Sequence, residues 1–326
     1  MSLLRLPFAN TLSIGKTNGI SPISSWLRLS RVSSLPTVWA NVFTGVALAS
    51  KQSTAVNTDV VFYACVAMSF AYLVGMFLND VFDAQYDKRF RKERPIANGE
   101  VSIKSVTIMT IVFILSCLSL MFYAAANTGQ SSTQALFSTV ALFGCIILYN
   151  ASHKSNPLSP VVMGACRALI YTSCALLASS TLPLPVLIAA VLLWCYVIGT
   201  NYMLIQGPIK LIQDTWPVAV LIVPLAYTGY LTWNNPLAAV PFVIFASSVV
   251  SAIYLFNKRR PGDVPIAAVM LISAMALIDS ILLFTHGFPQ LAIAALACWF
   301  SSALLQSWSL SEQPDCQIHR TTNVRN

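Results

Sequence analysis

The chain has 326 residues, 56% of them apolar and only 9% charged, with a mean hydropathy of +0.71. Soluble domains are roughly a quarter charged, so this composition excludes a water-soluble globular protein, and equally a disordered or collagen-like one. The 19 Lys and Arg outnumber the 11 Asp and Glu, giving a net charge of +8. In a polytopic membrane protein, cations have to be placed against the bilayer before a nucleic-acid partner is considered. The eight cysteines (Cys65, Cys117, Cys145, Cys166, Cys174, Cys195, Cys298 and Cys316) fall mostly in apolar stretches without a CxxC pair. They indicate neither a disulfide framework nor a zinc site.

Residues 1–31 contain Arg5, Lys16, Arg28 and Arg31, several serines and no acid. They read as a cytosolic lead-in, with an organelle transit peptide as the weaker alternative and no signal peptide expected. A helix crossing about 30 Å of hydrocarbon needs roughly 20 mostly apolar residues, and ten runs qualify, beginning with 32–50 and 60–79. The first carries Pro36, Asn41 and Gly45-x-x-x-Ala49, the last a pattern that lets helices approach closely. The second runs into a cluster of aspartates. Next come 103–126 and 135–151, the latter closing on Tyr149-Asn150-x-x-His153-Lys154. Span 160–180 holds Gly164, Arg167 and Ala175, and 183–206, 215–233 and 236–256 follow. Span 264–285 carries Asp279 in its middle, and 290–310 is the tenth. A membrane domain over 32–310 with a tail at 311–326 is therefore expected.

The cations alternate with these spans. The connections 51–58, 127–134, 181–182, 234–235 and 286–289 carry a single one, Lys51. The other connections and helix ends hold Lys88, Arg89, Arg91, Lys92, Arg94, Lys104, Lys154, Lys210, Lys258, Arg259 and Arg260, and the tail adds Arg320 and Arg325. By the positive-inside rule both termini are cytoplasmic; a nine-span count would put the tail outside. The basic balance reports orientation, and no nucleic-acid partner is expected.

Three of the eleven acids, Asp80, Asp83 and Asp87, lie at the end of the second span. At helical spacing they share an arc of about 60°. An Asp at a membrane helix centre costs roughly 2.5–3.5 kcal/mol, less toward the interface, and three like charges on one face add to that unless cations neutralise them. The bland alternative is a solvated helix end. Stacked carboxylates beside the Asn79 amide are hard oxygen donors suited to Mg²⁺ shared with a phosphorylated ligand. The cations that follow, Lys88 and Arg89 to Arg94, suit oxyanions, so the pair of features describes a diphosphate site. Asp279 is expected to line a cavity, the alternative being a buried hydrogen bond to a neighbouring helix.

The run Asn79-Asp80-x-x-Asp83-x-x-x-Asp87, followed by Arg94-Pro95-Ile96-x-x-Gly99, resembles the first aspartate-rich motif of the UbiA superfamily of intramembrane prenyltransferases. Softer likenesses are Arg28 before the first span, Asn41 within it, the tyrosine-lysine element Tyr149 to Lys154, and Arg167 after Gly164. The resemblance covers roughly residues 25–285, and the compact hairpin after Asp87 is most similar to the EboC-like bacterial branch. It implies an all-α membrane bundle of nine to ten helices, with two pseudo-repeated halves around a central cavity. The implied reaction is Mg²⁺-dependent transfer of an isoprenyl group from a prenyl diphosphate to an aromatic or other lipophilic acceptor, in a bacterial plasma membrane. Asp80, Asp83 and Asp87 with Asn79 would hold Mg²⁺, and Lys88, Arg89, Arg94, Tyr149, Lys154, Arg167 and Lys210 would contact substrate. Phe70, Tyr72, Phe77, Trp194 and Tyr196 are aromatic candidates for a prenyl tunnel.

The chain departs from the family where a second acidic motif is usual: residues 201–214 retain only Asp214. Gln206, Lys210 and Gln213 fall on one helical face there, and Lys210 either stands in for a second metal or is a lysine at the membrane surface. Two rival readings stay open, a membrane terpene cyclase and a non-enzymatic lipid carrier or transporter.

Overall fold

A computed structural model describes residues 22–50, 56–128, 132–154, 156–206 and 216–311, and every regular element among them is helical. In lipid each backbone polar group must be bonded within its own segment, which leaves the helix as the form for apolar runs of this length. A short amphipathic helix, α1 (Pro22–Ser30), leads through a 3-10 turn (Val32–Ser34) into α2 (Leu35–Ala49). Then follow α3 (Thr58–Phe90), α4 (Ile103–Thr128), α5 (Ser132–Ser152), α6 (Ser159–Ala178) and α7 (Leu184–Gln206). The remaining elements are α8 (Trp216–Trp233), a 3-10 turn (Pro236–Ala238), α9 (Ala239–Lys258), α10 (Asp263–Ser273), α11 (Met275–Thr285) and α12 (Pro289–Ser311). Ten of the resulting segments are long and apolar enough to cross a membrane, matching the ten expected spans; α10 and α11 together make the ninth, with a break at Ala274.

Two spans form the centre. The ninth is 83% buried and the first 72%, whereas the others range from 22% to 50% and give much of their surface to lipid. Around them the core divides in two. One apolar cluster joins α2 to α6 through residues such as Val42, Met68, Met121, Leu142 and Leu177. The other joins α7 to α11 through Leu193, Phe245, Phe256, Leu271 and Leu277, and reaches back to α2 and α6 at Leu48, Tyr171 and Ala175. These are the two halves. The tenth span, α12, packs small residues Ala292 and Ala295 against Ala40 and Ala47 of α2 and Ala276 of α11.

Helix length places the candidate site. The 33 residues of α3 extend about 50 Å at 1.5 Å per residue, well beyond a hydrocarbon layer of about 30 Å. Asn57 caps its start by accepting from the backbone N–H groups of Asp59 and Val60 at 2.9 and 3.4 Å, and Lys88 and Arg89 complement the dipole at its end. The chain then folds back in a hairpin held by Asn98 N–H to the Arg94 carbonyl (2.9 Å) and Val101 N–H to the Pro95 carbonyl (3.1 Å). Gly99 turns that hairpin with φ of 84°, in the left-handed region that glycine enters without cost.

Close approach of α2 and α6 depends on Gly45. A Cβ there would lie 2.8 Å from the Tyr171 carbonyl oxygen and 3.1 Å from Cys174 Cβ. Backbone cannot yield as a flexible side chain can, so Gly45→Val is expected to destabilise the bundle by about 1–3 kcal/mol through overpacking. The check is the thermal midpoint in detergent, and an unchanged midpoint contradicts this packing.

Candidate active site

All three aspartates of the stripe are buried: Asp80, Asp83 and Asp87 are 4%, 5% and 2% exposed. This is no solvated helix end. A buried carboxylate demands compensation, and each finds it on a nearby cation. Asp80 Oδ1 accepts from Arg31 Nη2 at 2.7 Å and from Arg94 Nη1 at 2.5 Å. The same Arg94 nitrogen lies 3.3 Å from Asp87 Oδ2, so one guanidinium bridges two carboxylates. Asp83 Oδ1 meets Lys154 Nζ at 2.5 Å, with His153 Nε2 at 3.8 Å. The Lys154 ammonium also stands 4.3 Å from the centre of the Tyr86 ring, a cation–π distance. Asn79 closes the upper end, accepting from Arg31 Nη2 and donating to Asn150 Oδ1, both at 3.2 Å.

Arg31 is held in an unusual backbone conformation, φ 44° and ψ 48°. The left-handed region costs a non-glycine residue about 1–2 kcal/mol. The Tyr72 hydroxyl donates to its carbonyl at 2.6 Å, and the guanidinium is thereby turned onto Asp80. Below it, Glu100 in the hairpin accepts from Ser25 Oγ at 2.6 Å, from Arg28, and from Asn98 Nδ2 at 2.6 Å, tying α1 to the hairpin. Burial works to raise the Glu100 carboxyl, but these donors outweigh it and hold it below its ordinary range. For Arg94, burial and then the neighbouring Arg31 charge pull the guanidinium below its usual range, against Asp80 and Asp87; it remains charged.

The structure thus gathers Asn79, Asp80, Asp83, Asp87, Arg94 and Lys154 at one place. Tyr149 is adjacent, its ring stacked at 5.3 Å on His153. Lys88 and Arg89 stand apart: both are exposed, and among the described residues neither pairs with a carboxylate. Arg31, 49 positions from Asp80, joins the cluster as well. Its signal in the sequence was its position one residue before the first span, where it counted only as a topology cation. Arg167 does not reach the stripe; its Nη1 donates to Asn41 Oδ1 at 3.0 Å. Lys210, Gln213 and Asp214 lie outside the described residues.

Asp279 corrects an expectation. It is fully buried rather than cavity-lining, accepting from Asn41 Nδ2 at 2.8 Å and from the Tyr171 hydroxyl at 2.5 Å. The aromatic candidates also separate. Tyr72 touches the site through Arg31, whereas Phe70 stacks on Phe113, Phe77 packs between Trp26 and Phe113, and Tyr196 is buried with its hydroxyl on the Leu271 carbonyl. Trp194 donates to the Val161 carbonyl and packs on Gly164.

Among the described residues no three His, Cys, Asp or Glu side chains converge on a metal-sized position, because the carboxylates face cations. The donor chemistry nevertheless fits a hard divalent cation: three carboxylates and an amide oxygen, all on one helix face. Asp87 Oδ1 is buried without a hydrogen-bond donor, and its nearest charge is Arg91 at 4.0 Å. That orphaned oxygen is the local demand a cation would meet.

If Arg94 compensates two carboxylates, Arg94→Leu leaves both buried and short of charge. A loss of about 3–5 kcal/mol is expected for breaking a buried pair, read as a lower thermal midpoint in detergent at pH 7. A midpoint equal to that of the unmodified protein contradicts the pairing.

The family model of the UbiA prenyltransferase family matches residues 35–275. A search of curated proteins finds no match. Among solved structures, the apo structure of a UbiA homolog from Aeropyrum pernix K1 is similar with a TM-score of 0.55 at 13% identity, over 81% of this chain and 98% of that one. A UbiA homolog from Archaeoglobus fulgidus, bound to DMAPP and Mg²⁺, is similar with a TM-score of 0.47 at 12% identity, over 88% of this chain and 98% of that one. The Aeropyrum structure shares the fold, and the family model spans the first central helix, the stripe and the hairpin, and reaches the ninth span as far as residue 275. This chain belongs to the UbiA prenyltransferase family.

Proposed function

We propose that the protein is a Mg²⁺-dependent membrane prenyltransferase, moving an isoprenyl group from a prenyl diphosphate to an aromatic or other lipophilic acceptor. One observation carries this reading: three buried carboxylates in a single stripe, met by Arg31, Arg94 and Lys154 from three separate parts of the chain. A diphosphate offers those cations oxyanions of its own. The carboxylates so released, Asp80, Asp83 and Asp87 with Asn79, are then free to hold Mg²⁺, which supplies Lewis-acid stabilisation of the departing charge.

In the reaction the allylic C–O bond breaks, and its electron pair leaves with the diphosphate. Arg31, Arg94 and Lys154 stabilise that developing charge from fixed positions, where reorganisation costs little. A lone pair or π bond of the acceptor then attacks the allylic carbon, and the acceptor gives up a proton. The half-buried Tyr72, bonded to the Arg31 carbonyl, and Tyr149, stacked on His153, are the aromatic residues of the cluster, and such rings would suit the positive charge on the prenyl group. Lys88 and Arg89, exposed just beyond the stripe, contribute positive field at its mouth. Lys210, outside the described residues, is assigned a positive charge on the diphosphate in place of a second metal. The same reading places residues 32–310 in the membrane and 1–31 and 311–326 on the cytoplasmic face of a bacterial plasma membrane.

The test incubates purified protein with Mg²⁺ and geranyl, farnesyl or geranylgeranyl diphosphate, with and without a lipid extract, and follows pyrophosphate and organic products. Pyrophosphate release that requires the extract, with Asp80→Asn and Asp83→Asn each lowering it by about 100-fold, is the expected result. Release without extract and with hydrocarbon product points to a cyclase instead. Full activity in either variant, with normal membrane insertion, contradicts the site.

A further inference from the structure

We propose that Ser302 and Gln306, on the tenth span, are positioning residues that hold Arg31 against the carboxylate stripe. The proposal rests on the prenyl-diphosphate reading above, in which the Arg31 guanidinium serves the substrate's oxyanions. Both residues lie on α12, beyond the stretch 35–275 that the family model matches.

Arg31 has to be held. Its left-handed backbone is a conformation that persists in a non-glycine residue only where the surroundings over-determine it. Relaxation to the right-handed region would swing the guanidinium away from Asp80, which it meets at 2.7 Å. Upstream, Glu100 ties down α1 through Ser25 and Arg28. Downstream, the 3-10 turn Val32–Ser34 is gripped from two sides. From α3, the Tyr72 hydroxyl donates to the Arg31 carbonyl at 2.6 Å. From α12, the Ser302 hydroxyl donates to the Ser33 carbonyl at 3.0 Å. Ser302 therefore acts on Asp80 at one remove, through the backbone that carries Arg31.

The contact has a direction and a cost. A serine has one hydroxyl proton, and the Ser33 carbonyl receives it, so the Ser302 oxygen accepts from Gln306 Nε2 at 2.7 Å. That bond fixes the Gln306 amide, and its Oε1 is left buried with no hydrogen-bond donor among the described residues. Ser302 is fully buried and Gln306 is 4% exposed. An unsatisfied buried acceptor is destabilising, and an apolar side chain of similar size carries no such cost. Stability alone therefore gives no reason for a glutamine here, whereas the hold on Ser33 does. The helix bearing the pair is itself anchored. Ala292 and Ala295 pack against α2 and α11, and Ser280 Oγ donates to the Ala292 carbonyl at 2.9 Å. In this way α12 carries a fixed position from the ninth span to the turn behind Arg31.

The test combines calorimetric titration of inorganic pyrophosphate with Mg²⁺ and the thermal midpoint, both on the full-length protein in detergent. Ser302→Ala and Gln306→Leu are each expected to weaken pyrophosphate binding about three- to tenfold. Gln306→Leu should do so with a midpoint equal to or above that of the unmodified protein, because it removes the orphaned oxygen. Ser302→Ala with Arg31→Gln should bind no worse than Arg31→Gln alone. Unaltered binding in Gln306→Leu, a loss of binding that follows a lowered midpoint, or losses that multiply in the double variant overturn the proposal. If the unmodified protein does not bind pyrophosphate, the diphosphate reading fails, and the positioning is read from stability instead. The coupling between Arg31→Gln and Asp80→Asn in the thermal midpoint should then shrink in a Ser302→Ala background, and an unchanged coupling overturns it.

Discussion

A buried carboxylate at the membrane boundary has to be neutralised, and the pairing of Asp80 with Arg31 and Arg94 is where this protein does it most completely. The pair of guanidinium groups on one oxygen explains several otherwise separate features. Arg31 occupies a strained left-handed conformation because its carbonyl is claimed by Tyr72 and its side chain by Asp80. The hairpin after α3 is short and turns through Gly99 because Arg94 has to return to the helix it has just left. Glu100 then anchors α1 to that hairpin, which keeps Arg31 in register at the end of α1.

The wider fold serves the same demand. α3 is long enough to carry a fully apolar half through the lipid and a charged stripe out of it. The fourth span ends at the same level, which brings Lys154 and His153 onto Asp83. Each cation comes from a different part of the chain, so the cluster exists only when the first half of the bundle is assembled. Deeper in the bundle the same rule recurs in quieter form: Asp279, fully buried on the ninth span, is met by an amide and a phenol instead of a guanidinium.

Much of this was legible in the sequence. Run length and polarity are local, so the ten spans and the helix carrying the stripe could be read directly, and helical spacing alone put Asp80, Asp83 and Asp87 on one face. Arg94 and Lys154 were found because the motif and the helix end mark them. What stayed hidden was contact between distant segments. Arg31 looks like any cation ahead of a first span, and nothing local tells it from Arg28, yet one holds Asp80 and the other Glu100. Lys88 and Arg89 follow the stripe in sequence but continue the helix past it, exposed and outside the carboxylate cluster. Asp279 finds its partner Asn41 238 positions away, a distance over which spacing carries no information.

In the proposed mechanism the cations and the metal compete for the same carboxylates, so anion and metal should bind together. Electron paramagnetic resonance of Mn²⁺, used in place of Mg²⁺, tests this most directly on the purified protein. The account predicts little protein-bound Mn²⁺ alone, a bound signal when pyrophosphate is added, and its loss in Asp80→Asn. Tight Mn²⁺ binding without pyrophosphate, or a bound signal that survives in Asp80→Asn, would contradict it.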